Sequence, residues 1–341
     1  MSGAASDIGV AVVGAGGWGK NHVRNFAALG ALRTICDQSE AVRARHAEAY
    51  PETTVTAELG RVLEDPAIQA AVVATDAPSH FEVARALLEA GKDVLVEKPL
   101  ALRGADAERL VALAEERGRV LSVGHLLLFH PVVERLKAII DAGELGEVLY
   151  LVCRRLNLGV VRHEENAWWS LAPHDLSIAT YLLGADPTHV AATGGTFLQT
   201  DAGIEDVCFA TVRYPAGRLA HVHVSWLDPH KTRMTTVVGS KKMAVFDDTS
   251  PDQKLRIYDK GAEPLPEAIS YEQGVRVRTG DIVVPAVRMA EPLRRECEAF
   301  LESVRTRQPS RADGRSGLAV VRALEAGAKS LAEGGREVAV G

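Results

Sequence analysis

The opening residues lack the pattern expected of a secretion signal and contain no long apolar run. These residues, MSGAASDIGVAVVG, carry no cationic stretch ahead of the apolar run, and glycine soon interrupts that run. A membrane helix needs about 20 consecutive apolar residues, so this segment is too short to span a bilayer. We therefore expect a cytoplasmic protein with no membrane partner.

Cysteine is scarce, and the arrangements that bind metal ions are missing. The four cysteines, Cys36, Cys153, Cys208 and Cys297, form no CxxC pair, so they predict neither a disulfide framework nor a zinc ribbon. No HExxH segment or other recognised metal pattern occurs either. We expect four reduced thiols and chemistry without a metal.

The chain also lacks the excess of positive charge that favours nucleic acid. Its formal net charge is -6, and its content of 47% apolar and 25% charged residues is ordinary for a globular protein. Its 341 residues exceed what one hydrophobic core usually supports, so two domains are expected. A small molecule is thus the expected partner.

The first part of the chain alternates between short apolar runs and amphipathic segments. Helical patterns occupy 18–29, 79–90 and 104–117. The apolar runs, typical of buried parallel strands, lie at 8–13, 31–36, 70–75, 93–97 and 120–124. This alternation predicts an α/β fold, a Rossmann-type doubly wound parallel sheet over residues 1–126.

After His125 the pattern changes to longer segments with period-two alternation. A helix is predicted at 131–142, a hairpin turn at Tyr214–Gly217, and two closing helices at 291–306 and 314–333. The alternating segments are 147–156, 188–198, 206–214, 217–226 and 233–239. Residues 127–341 should form an α+β domain with a large, mostly antiparallel open sheet for substrate binding and oligomerisation, with the option that the last helices pack back on the first domain.

A glycine-rich loop follows the first predicted strand and opens a helix. Gly14-Ala15-Gly16-Gly17-Trp18-Gly19 has the GxGxxG spacing that lets the backbone approach a pyrophosphate at a helix N-terminus. Asp37, at the end of the second strand, stands where a carboxylate binds the adenosine ribose. Because a carboxylate repels the 2′-phosphate of NADP and no arginine follows, these residues predict NAD.

Glu97-Lys98-Pro99 ends the 93–97 strand, at the edge where an open α/β sheet binds its ligands. Pro99 keeps Lys98 out of helical geometry and allows a cis bond. The ammonium of Lys98 is therefore expected beside the cofactor cleft.

These motifs together resemble the glucose-fructose oxidoreductase, inositol dehydrogenase and rhizopine-catabolism family (Gfo/Idh/MocA). The resemblance covers GAGGWG, Asp37, the ATDAPSH stretch at 74–80, EKP and the C-terminal sheet domain. It implies that Lys98 is catalytic. The expected cofactor-binding residues are Gly14, Gly16, Gly17, Trp18, Gly19, Asp37, Thr75, His80, Glu97 and Lys98.

The family also places a catalytic histidine ahead of an LLG sequence, usually as DxGxHxxD. Here Ser170 and Ser177 replace the two acids, while His174 matches and Asp175 follows it. Pro173 suggests that His174 stands at an exposed helix start. Histidine, with a reference pKa of about 6.5, suits an acid/base role. Asp175 fits either function or a first-turn carboxylate that complements the helix dipole.

The segment 157–169 and a second basic site at 231–233 suit a carbohydrate. Tryptophan can cover a sugar ring, while amide, carboxylate and guanidinium groups bind hydroxyls or an anionic tail. The candidate substrate residues are Asn157, Arg162, Asn166, Trp168, Asp175, Lys231 and Arg233. The sequences RLNLG, ENAWWSLAPHD and SWLDPHK are similar to the family branch that oxidises C3 of UDP-N-acetylglucosamine or its uronate.

Several alternatives stay open. The chain could act on another sugar or polyol, such as an inositol, or could be a non-catalytic NAD-binding regulator, although Lys98 and His174 argue against the latter. Either Lys98 or His174 could be the base, and the sugar, the hydroxyl and the direction are undetermined. A homodimer or homotetramer through the C-terminal sheet is expected, because that sheet's outer face needs a cover.

Overall fold

A computed structural model describes residues 7–159, 161–264 and 275–341 of the chain. Their contacts divide them into two units. The first unit joins the residues up to Phe129 with Ala290–Val321, and the second joins His130–Met289 with Arg322–Gly341. Within the described residues, no helix is both long and apolar enough to cross a membrane.

The first unit is built on a six-stranded parallel sheet, as the apolar runs predict. Its strands are β1 Val10–Val13, β2 Leu32–Cys36, β3 Thr54–Thr56, β4 Ala70–Val73, β5 Asp93–Val96 and β6 Leu121–Val123. They lie in the order β3-β2-β1-β4-β5-β6. The connecting helices are α1 Gly19–Ala28, α2 Glu40–Ala49, α3 Leu59–Glu64, α4 His80–Glu89 and α5 Gly104–Glu116. This is the strand order of a dinucleotide-binding domain.

The second unit contains the large sheet predicted for the C-terminal part. Two helices, α6 Pro131–Asp141 and α7 Ala167–Leu183, accompany it. The strands of this unit are β7 Val148–Leu156, β8 His189–Gly195, β9 Val207–Arg213, β10 Leu219–Ser225, β11 Thr232–Gly239, β12 Met243–Asp247, β13 Leu255–Tyr258, β14 Gly261–Pro264, β15 Val275–Arg278, β16 Ile282–Val283 and β17 Val338–Ala339.

Nine of these strands form one sheet in the order β16-β13-β12-β11-β7-β10-β9-β8-β17 within the described residues. β7 and β10 pair in parallel, and the other neighbours are antiparallel. The turn at Tyr214–Gly217 joins β9 to β10, which confirms the predicted hairpin. One face of the sheet packs against α7, so the sheet positions that helix.

The helix that carries His174 begins earlier than the sequence suggests. Asn166 caps α7, because its side-chain oxygen accepts a hydrogen bond from Trp169 N at 3.0 Å. Pro173 lies inside the helix, where it has no N–H to donate to the preceding turn. The expectation that His174 stands at a helix start is therefore wrong, because the proline is tolerated in mid-helix.

The chain returns to the first unit through α8 Pro292–Thr306, followed by α9 Gly314–Ala332. α8 packs against α1 and contributes apolar side chains such as Phe300 to the core of that unit. The face that buries Phe300 also buries Glu296 and Cys297. A carboxyl group from the C-terminal part of the sequence thus lies inside the dinucleotide-binding unit.

Candidate active site

The glycines of the loop between β1 and α1 fall into two classes. Gly14 has φ +82°, and a Cβ there would lie 2.6 Å from Thr75 N, while a Cβ on Gly19 would lie 1.9 Å from Gly14 O. Both glycines are required by close packing. Gly16 and Gly17 face open space instead. α1 has no side-chain cap and no acid in its first turn, so the loop fits an anionic pyrophosphate.

Asp37 follows β2 and is half-buried beside this loop. Its Oδ2 accepts a hydrogen bond from Ala15 N at 2.7 Å, and its Oδ1 accepts one from Ser39 N at 2.8 Å. Each carboxylate oxygen has a further lone pair for a hydroxyl group. The residue is thus held in place by the loop and suits a ribose, as the sequence predicts.

Glu97 links the glycine-rich loop to Lys98. Its Oε1 accepts from Trp18 Nε1 at 2.6 Å and from His22 Nε2 at 2.7 Å, and its Oε2 accepts from Lys98 N at 3.1 Å. A Cβ on Gly124 would lie 2.8 Å from Oε2, so the carboxylate fits closely against this glycine. Burial raises the pKa of Glu97, but the His22 and Lys98 contacts outweigh it and lower that pKa. Glu97 therefore stays ionised.

This arrangement changes the expected roles of Trp18 and Glu97. Both were predicted to bind the cofactor directly, yet the indole N–H and both carboxylate oxygens already have partners within the protein. The exposed part of Trp18, 46% of the residue, remains available for contact. Glu97 itself fixes the backbone on either side of the site.

His80 holds the segment that follows Lys98. Its Nδ1 lies 2.8 Å from Pro99 O and its Nε2 lies 3.1 Å from Thr75 O. The Lys98-Pro99 peptide bond is cis. His80 and Thr75 thus position the backbone beside Lys98, and their contact with the cofactor stays a prediction.

His174 is half-buried in the third turn of α7, and the carbonyl of this residue accepts a hydrogen bond from Ser177 Oγ at 2.9 Å. Its neighbour Asp175 is buried, and its two oxygens accept hydrogen bonds from Arg155 at 2.9 and 3.0 Å. Burial raises the pKa of Asp175, while the charge and hydrogen bonds of Arg155 act against that rise.

The predicted roles of Asp175 therefore need correction. It is not a first-turn carboxylate, because α7 begins at Ala167, and its bond to Arg155 occupies the group expected to bind substrate. The ion pair instead ties α7 to β7 next to His174. The sequence does not identify Arg155 as a site residue, since nothing local marks an arginine that faces an aspartate 20 positions away.

The predicted substrate residues differ in accessibility. Trp168 is fully buried and donates from Nε1 to Leu324 O at 2.9 Å, so it is a core residue and cannot cover a sugar. Asn166 is committed to capping α7 and to Glu205. The remaining candidates are the half-buried Asn157 and the exposed Arg162, Lys231 and Arg233.

Comparisons with known proteins match both parts of the chain to one family. Residues 8–125 match the model of an oxidoreductase family with an NAD-binding Rossmann fold, and residues 133–245 match the GFO/IDH/MocA C-terminal domain. Together these matches cover most of the described chain.

The similarity to one relative extends along nearly the whole chain. UDP-N-acetylglucosamine 3-dehydrogenase of Acidithiobacillus ferrooxidans is 28% identical over 313 residues, covering 92% of this chain and 93% of that protein. A solved structure of it gives a TM-score of 0.78 at 27% identity, covering 94% of this chain and 96% of that one.

Two further similar proteins are an inositol dehydrogenase and a protein solved in complex with NAD. The scyllo-inositol 2-dehydrogenase (NAD(+)) of Bacillus subtilis is 26% identical, over 72% of this chain and 75% of that protein. The structure of GenD2 from gentamicin A biosynthesis, in complex with NAD, is 25% identical with a TM-score of 0.81, covering 100% of this chain and 99% of that one.

Proposed function

Since the chain belongs to the GFO/IDH/MocA oxidoreductase family and carries its NAD-binding Rossmann domain, we propose that it oxidises a secondary alcohol of a nucleotide sugar. The substrate we assign is UDP-N-acetylglucosamine or its uronate, oxidised at C3 to a 3-keto sugar. The observation that carries this assignment is the similarity to a UDP-N-acetylglucosamine 3-dehydrogenase over more than nine-tenths of both chains.

NAD, when bound, supplies the acceptor for the hydride that leaves the alcohol carbon. The amides at Gly16 and Gly17 would hold its pyrophosphate, and Asp37 its adenosine ribose. Lys98, at the carboxyl end of β5, would donate a hydrogen bond to the substrate hydroxyl and stabilise the developing alkoxide. His174 would accept the hydroxyl proton, or the two side chains would exchange these roles. The assignment of both to one hydroxyl rests on the family resemblance.

A second candidate is an inositol-type polyol dehydrogenase, favoured by the similarity to scyllo-inositol 2-dehydrogenase. A panel of UDP-sugars, free sugars and inositols, assayed with NAD for NADH absorbance, separates the two. We expect turnover of UDP-N-acetylglucosamine or its uronate, with competition by UMP or UDP. Turnover of myo-inositol or glucose without such competition would favour the second candidate, and NADH from no compound would favour a regulator.

Asp37→Ala is expected to weaken NAD binding by about tenfold or more, because it removes charged acceptors of hydrogen bonds. The same variant should discriminate less against NADP, because the repulsion of the 2′-phosphate is lost. Calorimetry with both cofactors measures the two effects. Asp37→Asn is the matched variant, since it keeps one acceptor oxygen without the charge. Wild-type protein that binds NADP more tightly than NAD would refute this role for Asp37.

We also propose a homodimer or homotetramer through the large sheet, because the outer face of that sheet needs a cover. Tyr150 on β7 and Phe209 on β9 are each 42% exposed, and Phe209 stacks on His223 with ring centroids 4.3 Å apart. On β10, Tyr150 pairs with Leu219 and Phe209 pairs with His223. Because Leu219 and His223 are four residues apart on one strand, these side chains share one face of the sheet. A sedimentation experiment that finds only monomer at micromolar concentration would contradict the proposal.

A further inference from the structure

Beside Glu97 lies a second buried carboxyl group, Glu296, which no step of the proposed reaction uses. Glu296 is 2% exposed, and among the residues that the structure describes neither of its carboxyl oxygens has a hydrogen-bond partner. Ligand atoms of Glu296, Glu97 and His22 all lie within 4.8 Å of one another. Two carboxyl groups this close and this dry cannot both carry a charge without a large electrostatic cost.

The hydrogen bonds decide which carboxyl carries the charge. Glu97 accepts three hydrogen bonds, from Trp18, His22 and the Lys98 amide, whereas Glu296 accepts none. Burial raises the pKa of Glu296 well above its usual range, and the neighbouring charge of Glu97 raises it further. The pair thus holds one charge, on Glu97, and one proton, on Glu296.

The other titratable groups around the pair leave this division unchanged. His22 uses Nε2 toward Glu97, and its Nδ1 lies 3.9 Å from the Cys297 sulfur. Burial keeps Cys297 a thiol by raising its pKa. The same effect lowers the pKa of His125 to about 4, so that imidazole is neutral. The contacts with His22 and the charge of Lys98 both favour the ionised form of Glu97.

The position of the pair connects it to the redox state of the cofactor. In this strand order the two halves of a dinucleotide lie over the carboxyl ends of β1–β3 and of β4–β6. Glu97 directly follows β5, so the nicotinamide half belongs at this edge. The ring is cationic in NAD⁺ and neutral in NADH, and a carboxyl proton nearby must respond to that difference.

We propose that Glu296 couples cofactor binding to a proton, which it keeps when NADH is bound and releases to water more readily when NAD⁺ is bound. The inference deepens the proposed function and rests on its placement of NAD, but not on the sugar. A failure of this inference can be told apart from a failure of the proposed sugar oxidation, because cofactor binding is measured without any substrate.

The proposal is tested by measuring the dissociation constants of NAD⁺ and NADH between about pH 6 and 9 and dividing the first by the second. In the wild-type protein this ratio should fall about tenfold as pH rises and Glu296 ionises, a typical size for coupling between two sites. In Glu296→Gln, which imitates the protonated acid at every pH, that fall should disappear. Glu298→Gln, on the exposed face of the same helix, should behave like the wild type. A Glu296→Gln protein with the wild-type pH dependence would overturn the proposal.

One further measurement keeps the test valid if the variant is unstable. The wild-type protein in weak buffer should release more protons on mixing with NAD⁺ than with NADH, and equal release would also overturn the proposal. All titrations are run with and without EDTA. A tightly bound divalent cation, lost from Glu296→Gln, would instead make the cluster a metal site and refute the proton assignment.

The pH dependence of stability tests independently whether Glu296 holds a proton in the folded protein. Since burial raises the folded-state pKa of Glu296, ionisation favours the unfolded chain as pH rises above the usual carboxyl range. Glu296→Gln should therefore gain stability relative to the wild type as pH rises toward the folded-state pKa, as thermal unfolding would show.

Discussion

Lys98→Ala is expected to lower kcat by about 10²–10⁴ or more, while the affinity for NAD stays near that of the wild type. The reason is that the ammonium is the cation placed at the carboxyl end of β5, where charge develops on the alkoxide in the proposed reaction. Its backbone is fixed from two sides, by Glu97 Oε2 at 3.1 Å from Lys98 N and by His80 at the Pro99 carbonyl. The substitution thus removes the charge from a site whose backbone stays in place.

Lys98→Arg and Lys98→Met separate charge from position. Arginine keeps the charge but holds it in a larger, planar group, and methionine keeps a similar length without charge. Both should lose most of the activity, with methionine losing more. Steady-state kinetics together with NAD calorimetry measure the split between kcat and affinity. A Lys98→Met enzyme with normal kcat would remove Lys98 from the chemistry.

His174→Ala is expected to cost about 10²–10⁴ in kcat with little change in NAD affinity. Because His174 lies within α7 and alanine is the best helix former, the helix should persist in this variant. The rate should also lose an ascending limb of the pH profile, which a positioned base produces and a structural residue does not. Activity measured across pH, with unfolding temperature as a check, tests this.

The matched control is His189→Ala, a half-buried histidine on β8 whose Nδ1 bonds to Thr188. It should keep both the rate and the pH profile. If His174→Ala shows near-normal turnover and an unchanged profile, His174 is not the base. The role would then pass to Lys98, because both oxygens of Asp175 are held by Arg155.

The parts of this fold that were predictable from the sequence are those specified by neighbouring residues. Gly14 and Gly19 need their small size because of contacts made within one strand-turn-helix unit, and the apolar runs identify buried parallel strands directly. The sequence does not predict β3 and α3, since a three-residue strand and a six-residue helix are too short to show periodicity. It does not predict α2 either, because that helix buries a single residue, His46, and has no apolar face.

The errors in the site came from residues whose local sequence is ambiguous. Pro173 is typical of a helix start, but here the cap is Asn166 and the proline is interior. Trp168 lies in a polar segment, yet its ring packs so closely on Gly327 that a Cβ there would lie 2.5 Å away. Arg155 and Glu296 reach their partners only through folding, because each faces a residue far away in sequence.

In the proposed reaction the hydride taken up by NAD comes from C3 of a UDP-linked amino sugar. The direct measurement uses UDP-N-acetylglucosamine, or its uronate, deuterated at C3, with NAD⁺ and the wild-type enzyme. Mass spectrometry should find one deuterium in the reduced cofactor and a 3-keto sugar nucleotide as the product. Reduced cofactor without deuterium, or no reduction while an inositol is oxidised, would contradict the claim.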